Sequence, residues 1–284
     1  MYMWKIRHCI QFDIPLLEST RVVLTGYGNR FASNFYHANV FKLPNNRELV
    51  LGQGPQKESE GKNSTIEKFW WMAKQKGAKA IGMLCQLTEG GEVQCDEYFP
   101  DKAGESKQFG DLKVDCLDKK ITLDGRLEIR KLRGQFGNEK DFTTTHYSFN
   151  GYGRRTYPDF PDLFAKFMKK VLNEPGTPII HCSDGINRTG TFALSAYLIY
   201  DVAQTEEIDM RSALVRLRDS RIGCIQNSND YAFSSVVMFE YMADGIKIEK
   251  KKTLHENYTD MKRRWQVIHM EGARAESNQL QAAN

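Results

Sequence analysis

What most constrains this chain is a strand, a tight turn and a helix condensed into Pro178 to Tyr200, PIIHCSDGINRTGTFALSAYLIY. Ile179 and Ile180 read as a short buried strand, and Thr189 to Tyr200 carries helical periodicity. The turn between them runs from Cys182 to Arg188. Such a turn aims successive backbone N–H groups at one point in front of a helix N-terminus, which makes a cradle for an anion. Cys182 stands in the same field, and the field should favour its thiolate, the nucleophilic form. Arg188 offers a planar, two-pronged donor that matches two oxygens of a phosphoryl group. A buried cysteine in an ordinary strand–turn–helix is the competing reading. A Cys and an Arg bracketing a glycine-bearing turn favours the anion site.

The stretch HCSDGINRTG resembles the HCxxGxxRTG signature loop of the tyrosine-specific protein phosphatases, a Cys-based family. It departs from that loop at Asp184, where the family has Ala, and at Asn187, where it has Gly. The resemblance implies an α/β fold, a highly twisted mixed sheet with helices on both faces. It also implies two-step phosphoryl transfer: Cys182 attacks, and water guided by Gln226 releases the cysteinyl-phosphate. Ser183, Asp184, Gly185, Ile186, Asn187 and Arg188 would then line the phosphate, with the Thr189 hydroxyl steadying the thiolate. No cofactor or metal is implied.

Other segments carry the resemblance across most of the chain. HCIQFDIPLLESTRVVL, from His8 to Leu24, is similar to the family's KNRYxDVxxxDxTRVxL. Its acid survives as Asp13, a substrate-backbone contact in the family, but Gln11 stands where an aromatic would stack on phosphotyrosine. A plain turn before Pro15 is the other reading of Asp13. The helices that the family carries ahead of this segment have no counterpart here. Phe35 to Val40 is similar to the family's DYINAS strand, and Thr65 to Lys76 to its DFWRMV helix. Ala78 to Leu87 reads as a buried strand, and Asp101 to Phe142 as antiparallel strands with charged turns. Cys85, Cys95 and Cys116 fall in these strands as core filling. LRDSRIGCIQNSNDYAF, from Leu217, resembles LRxQRxxxVQTxxQYxF. Gln226 is retained there, and Asp230 replaces the second Gln. Arg218 and Arg221 match basic positions, with a solvated helix face as the alternative. Val236 to Met242 reads as a closing helix.

The segment from His146 to Val171 bears on the chemistry. In the family a WPD triplet supplies the aspartic acid that protonates the leaving tyrosine oxygen. In a gapped register Tyr157-Pro158-Asp159 replaces WPD and Asp159 is the acid. In the ungapped register Tyr147 and Phe149 take the strand positions, Tyr152 replaces Trp, and Arg154 replaces the acid. That register also places Phe164, Phe167, Met168 and Val171 on the inward face of a helix opened by Pro161. It is the favoured one, and it leaves Arg154 facing the substrate. Loss of a general acid removes about 10²–10⁴ in rate. Asp184 beside a dianion at about 5 Å costs on the order of 3 kcal/mol for each negative charge of the phosphate at an effective dielectric of 20. It also raises the Cys182 pKa relative to the family's.

Composition sets the remaining bounds. The 284 residues are 40% hydrophobic and 27% charged, enough for one large core. The net charge of +4 is too mild to argue for nucleic acid. Charges interrupt every apolar run short of a membrane span, and the first residues do not resemble a signal peptide. The six cysteines are scattered without metal-type pairing, as in a cytoplasmic protein with free thiols. The expected organisation is a phosphatase-like domain over residues 1–245 and a basic polar tail over 246–284, which an acidic partner would suit. The preferred expectation is a catalytically impaired domain that binds phosphotyrosine proteins. The alternatives are an active tyrosine phosphatase with Asp159 as acid, or a phosphoinositide phosphatase.

Overall fold

The computed structural model describes residues 3–4, 14–59, 63–153, 160–243 and 263. Gln11, Asp13, Arg154, Tyr157, Pro158, Asp159 and nearly all of the tail lie outside the described residues.

In chain order the first elements are β1 (Met3–Trp4), β2 (Leu16–Leu17), β3 (Arg21–Val23), β4 (Phe35–Lys42) and β5 (Glu48–Gly52). Helix α1 (Ile66–Gln75) follows, then β6 (Ala80–Met83), β7 (Thr88–Glu89), β8 (Glu92–Val93) and β9 (Ser106–Phe109). Three long strands come next: β10 (Leu112–Thr122), β11 (Leu127–Phe136) and β12 (Phe142–Phe149). The chain continues through α2 (Pro161–Asn173), β13 (Ile179–His181), α3 (Asn187–Thr205), α4 (Met210–Ser220) and α5 (Ser228–Ala243).

Nine strands form one mixed sheet in the order β3-β4-β5-β13-β6-β12-β11-β10-β9. The four central strands, β5, β13, β6 and β12, run parallel, and both flanks are antiparallel. Parallel strands must be covered on both faces, and β4 shows how. Its Tyr36 ring lies 5.8 Å from Phe69 of α1, whereas Phe41, of opposite parity, lies 5.8 Å from Tyr197 of α3. Side chains alternate across a strand, so α1 and α3 cover opposite faces.

Local sequence explains most of the elements. Helix α1 buries Ile66, Phe69, Trp70 and Ala73, one face at helical spacing. Helix α2 opens on Pro161, where the missing N–H costs nothing, and buries Phe164, Phe167, Met168 and Val171. Burying each such side chain stabilises by about 1.5–3 kcal/mol. Helix α3 is buried on nearly all sides, which places the signature loop at the centre of the molecule. Asp209 caps α4 by accepting from Ser212 N at 2.9 Å.

Several boundaries differ from the sequence expectations. Helix α3 begins at Asn187 rather than Thr189, and α5 at Ser228 rather than Val236. The α3 extension is the polar pair Asn187-Arg188. The α5 extension, Ser228 to Ser235, mixes polar residues with Tyr231 and Phe233, too few apolar positions for periodicity to reveal. Cys85 and Cys95 follow the ends of strands and sit in loops; Cys116 alone of the three lies in a strand. All three are buried free thiols. No helix among the described residues is long and apolar enough to cross a membrane.

Candidate active site

The candidate site lies where β13 ends and α3 begins. Cys182 is 1% exposed, and three layers hold its loop in place. Beneath it, Tyr98 Oη lies 2.7 Å from Nε2 of both His146 and His181. His181 Nδ1 is 3.1 Å from the Cys182 carbonyl, and a carbonyl only accepts, so Nδ1 carries the proton. Burial pushes the His181 pKa down to about 4, so the ring is neutral and its Nε2 accepts from Tyr98. Tyr98 then accepts from His146 Nε2, whose Nδ1 accepts from Ser148 Oγ at 3.3 Å. A buried chain of satisfied donors thus fixes the backbone of the nucleophile from below.

Behind the loop stands Arg221, which is 1% exposed. Its Nε donates to the Gly185 carbonyl at 2.7 Å and its Nη2 to the Asp184 carbonyl at 2.9 Å. Nη1 donates to Asn39 Oδ1 at 2.9 Å, and Nη2 reaches His37 Nδ1 at 3.0 Å. A guanidinium has no acceptor, so His37 Nδ1 accepts and Nε2 donates to the Ile14 carbonyl at 3.2 Å. Burial, aided by Arg221, lowers the His37 pKa to about 3. The solvated-face alternative is therefore wrong for Arg221. Arg218 is likewise occupied, donating to the carbonyls of Cys224 at 3.0 Å and Ile225 at 2.6 Å.

Backbone geometry forms the third layer. Gly185 has φ +75°, and a Cβ there would stand 2.2 Å from the Gly52 carbonyl oxygen, so no other residue fits. A Cβ at Gly54 would lie 2.6 Å from the Cys182 carbonyl oxygen, so the end of β5 can press against the loop only as glycine. Ile225 holds φ +58°, a costly conformation for a β-branched residue. It immediately precedes Gln226. Asn187, where the family has Gly, needs no left-handed angle: it opens α3. Its side chain instead ties the loop to Gln226, donating to Oε1 at 3.3 Å and accepting from Gln226 N at 2.9 Å.

The electrostatics of the cradle depart from a bare anion site. Gly185 N donates to Cys182 Sγ at 3.2 Å. Ile186 N donates to Asp184 Oδ1 at 2.9 Å, and the same oxygen accepts from the Cys182 thiol at 3.4 Å. The loop's own carboxylate therefore takes one of the N–H groups expected to serve a ligand. Burial and Asp184 push the Cys182 thiol up to about 11, against the opposing pulls of Arg188 and the Thr189 hydroxyl. The expectation that the cradle and helix would ease ionisation is overturned; desolvation and a neighbouring carboxylate outweigh them. The Ser183 hydroxyl oxygen is buried and lacks a hydrogen-bond partner among the described residues.

Arg188 is held on one nitrogen. Nη1 donates to Glu89 Oε1 at 2.6 Å and to the Tyr152 carbonyl at 3.1 Å. Glu89 comes from β7 and was not singled out from sequence, because a lone Glu in a surface-like TEGGE run carries no signal. Tyr152 is 3% exposed, and its hydroxyl donates to Asp230 Oδ1 at 2.5 Å. The structure thus gathers Cys182, Ser183, Asp184, Gly185, Ile186, Asn187, Arg188 and Gln226 at one place. Gln11, Asp13, Arg154 and Asp159 are outside the described residues.

Comparison with known proteins agrees with this geometry. A family model described as protein-tyrosine phosphatase matches residues 7–240. The chain is 27% identical over 230 residues to tyrosine-protein phosphatase 69D of Drosophila melanogaster, covering 78% of this chain and 15% of that protein. It is 28% identical over 263 residues to human receptor-type tyrosine-protein phosphatase C, covering 89% and 19%. It is also 28% identical over 249 residues to the Drosophila non-receptor type 61F enzyme, covering 83% and 42%. The chain therefore spans well under half the length of these relatives.

Proposed function

The chain belongs to the protein-tyrosine phosphatase family, and on that premise we propose that it binds phosphotyrosine proteins while turning them over weakly or not at all. The observation that carries this reading is the Asp184 carboxylate 3.4 Å from Cys182 Sγ, on an N–H of the cradle itself. A thiol held protonated near neutral pH is a poor nucleophile, and a carboxylate beside it repels a dianion. Nε and Nη2 of Arg188 keep no partner among the described residues. They are the edge that a phosphoryl group would grip bidentately. Arg154 in the place of the general acid removes the proton donor for a tyrosine leaving group. Gln226, engaged by Asn187, is the residue that would guide water in any residual hydrolysis. Gln11 and Asp13 would contact the substrate's ring and backbone, and the basic tail would suit an acidic partner.

The test compares turnover of a phosphotyrosine peptide with that of an activated aryl phosphate, whose leaving group needs little protonation. The expected result is a far larger deficit on the peptide. Arg188→Met abolishes capture of phosphorylated protein while the variant still folds cooperatively. A normal bell-shaped rate profile on the peptide, lost in Asp159→Asn, would overturn the proposal and install Asp159 as the acid.

A further inference from the structure

We infer that Asp230 is a positioning residue for Arg188, acting through the hydroxyl and carbonyl of Tyr152. The inference rests on the reading that the signature loop accepts a phosphoryl group. Among the described residues Arg188 is anchored through Nη1, and one of its two anchors is the main-chain carbonyl of Tyr152 at 3.1 Å. That carbonyl belongs to a segment between β12 and α2, outside any strand or helix, so no ladder fixes it.

The Tyr152 side chain ties it to two helices. The ring packs edge-on against Phe164 of α2 and Phe233 of α5, with centroids 5.7 and 6.0 Å away. Ring contacts allow sliding along the ring plane; the hydroxyl stops it. It donates to Asp230 Oδ1 at 2.5 Å and lies 3.2 Å from Thr191 Oγ1. Asp230 is itself locked: Asn227 Nδ2 donates to Oδ2 at 2.6 Å, and Asp230 N donates back to Asn227 Oδ1 at 2.8 Å. It lies in the first turn of α5, where the helix dipole favours a negative charge.

Asp230 is 3% exposed, and burial raises its pKa against the hydrogen bonds from Tyr152 and Asn227. A carboxylate at that depth costs stability compared with an apolar contact of the same shape. Its return is orientation: with Nη1 pinned, the Nε and Nη2 edge of Arg188 faces the cradle before a ligand arrives, which lowers the ordering cost of binding.

The experiment is titration calorimetry with a phosphotyrosine peptide and, separately, inorganic phosphate. Tyr152→Phe keeps the ring and removes only the hydroxyl; Asp230→Ala removes its acceptor. Each single change should weaken Kd roughly fivefold, the worth of about one net hydrogen bond. The double change should be no weaker than either single one, because both cut the same link. Asp230→Asn combined with Asn227→Asp, which keeps an oxygen for the hydroxyl and a donor for the facing carboxylate, should restore affinity. A general loss of stability would move the melting temperature without producing this pattern. Unchanged Kd in Tyr152→Phe, additive losses in the double variant, or no rescue by the exchanged pair Asp230→Asn with Asn227→Asp would each overturn the inference. If Arg188→Met abolishes binding while Tyr152→Phe does not weaken it, only the tether is wrong. If Arg188→Met binds normally, the phosphoryl reading falls with it.

Discussion

Replacing Asp184 with alanine isolates the interaction that most distinguishes this cradle. In the parent the carboxylate sits 3.4 Å from Cys182 Sγ and accepts the thiol proton. Ionising the thiol loses that hydrogen bond and sets two negative charges side by side. At 3.4 Å their repulsion is about 5 kcal/mol at an effective dielectric of 20 and about 1 kcal/mol at that of water. Asp184 is half-buried, so the true cost lies between these limits. Even the lower limit moves the thiol by close to one pH unit. Burial remains in the variant and keeps its thiol above the ordinary value. The expected midpoint for Cys182 alkylation therefore drops from about 11 by one pH unit or more. At pH 7.5 that means about tenfold more thiolate. The assay is the rate of iodoacetamide labelling against pH, read by mass spectrometry on the Cys182 peptide. Phosphopeptide affinity should rise in the same variant, since a repelling charge is gone and Ile186 N is free for the ligand. An alkylation midpoint unmoved by the substitution would refute the electrostatic argument. So would weaker peptide binding.

Further outcomes follow from other parts of the molecule. His37 and His181 are buried and neutral, with pKa values near 3 and 4, and burial holds His146 well below 6.5. The unfolded chain protonates each near 6.5, so unfolding takes up protons below that pH. Stability should be fully present above about 6.5 and fall on acidification by about 1.4 kcal/mol per pH unit for each histidine, toward its folded value. Urea melts at pH 6.5 and 5.5 with equal midpoints would exclude this. Arg221→Lys should destabilise by about 2–4 kcal/mol, because an ammonium cannot serve both loop carbonyls and Asn39 at once; a denaturation midpoint like the parent's would contradict it. Arg154→Asp combined with Asp184→Ala should recover appreciable phosphopeptide turnover where neither single change does, with Gln11 still limiting it. Turnover no higher in the double variant than in the parent would contradict this.

The signature stretch determined a great deal without help. The strand–turn–helix and the position of Cys182 at its base are local matters, set by a few neighbouring residues and their backbone angles. The amphipathic faces of α1 and α2 were legible for the same reason: periodicity is a property of ten or so consecutive residues. Polar first turns were not legible. The starts of α3 at Asn187 and α5 at Ser228 carry no apolar repeat, so periodicity put both ends too late. Tertiary structure alone decided the electrostatics. The sequence showed that a helix N-terminus faces Cys182, but whether that field wins depends on how much water remains and where Asp184 turns. Only the folded arrangement revealed a 1% exposed thiol with a carboxylate 3.4 Å away. Likewise Glu89, Tyr152 and Asp230 stand far from Arg188 in sequence and surround it in space. Arg221 matched a basic position with a solvated face as the alternative, and only β4, with His37 and Asn39, decided between them. Local propensity is written along the chain, whereas desolvation and charge proximity arise only when distant segments close over one another.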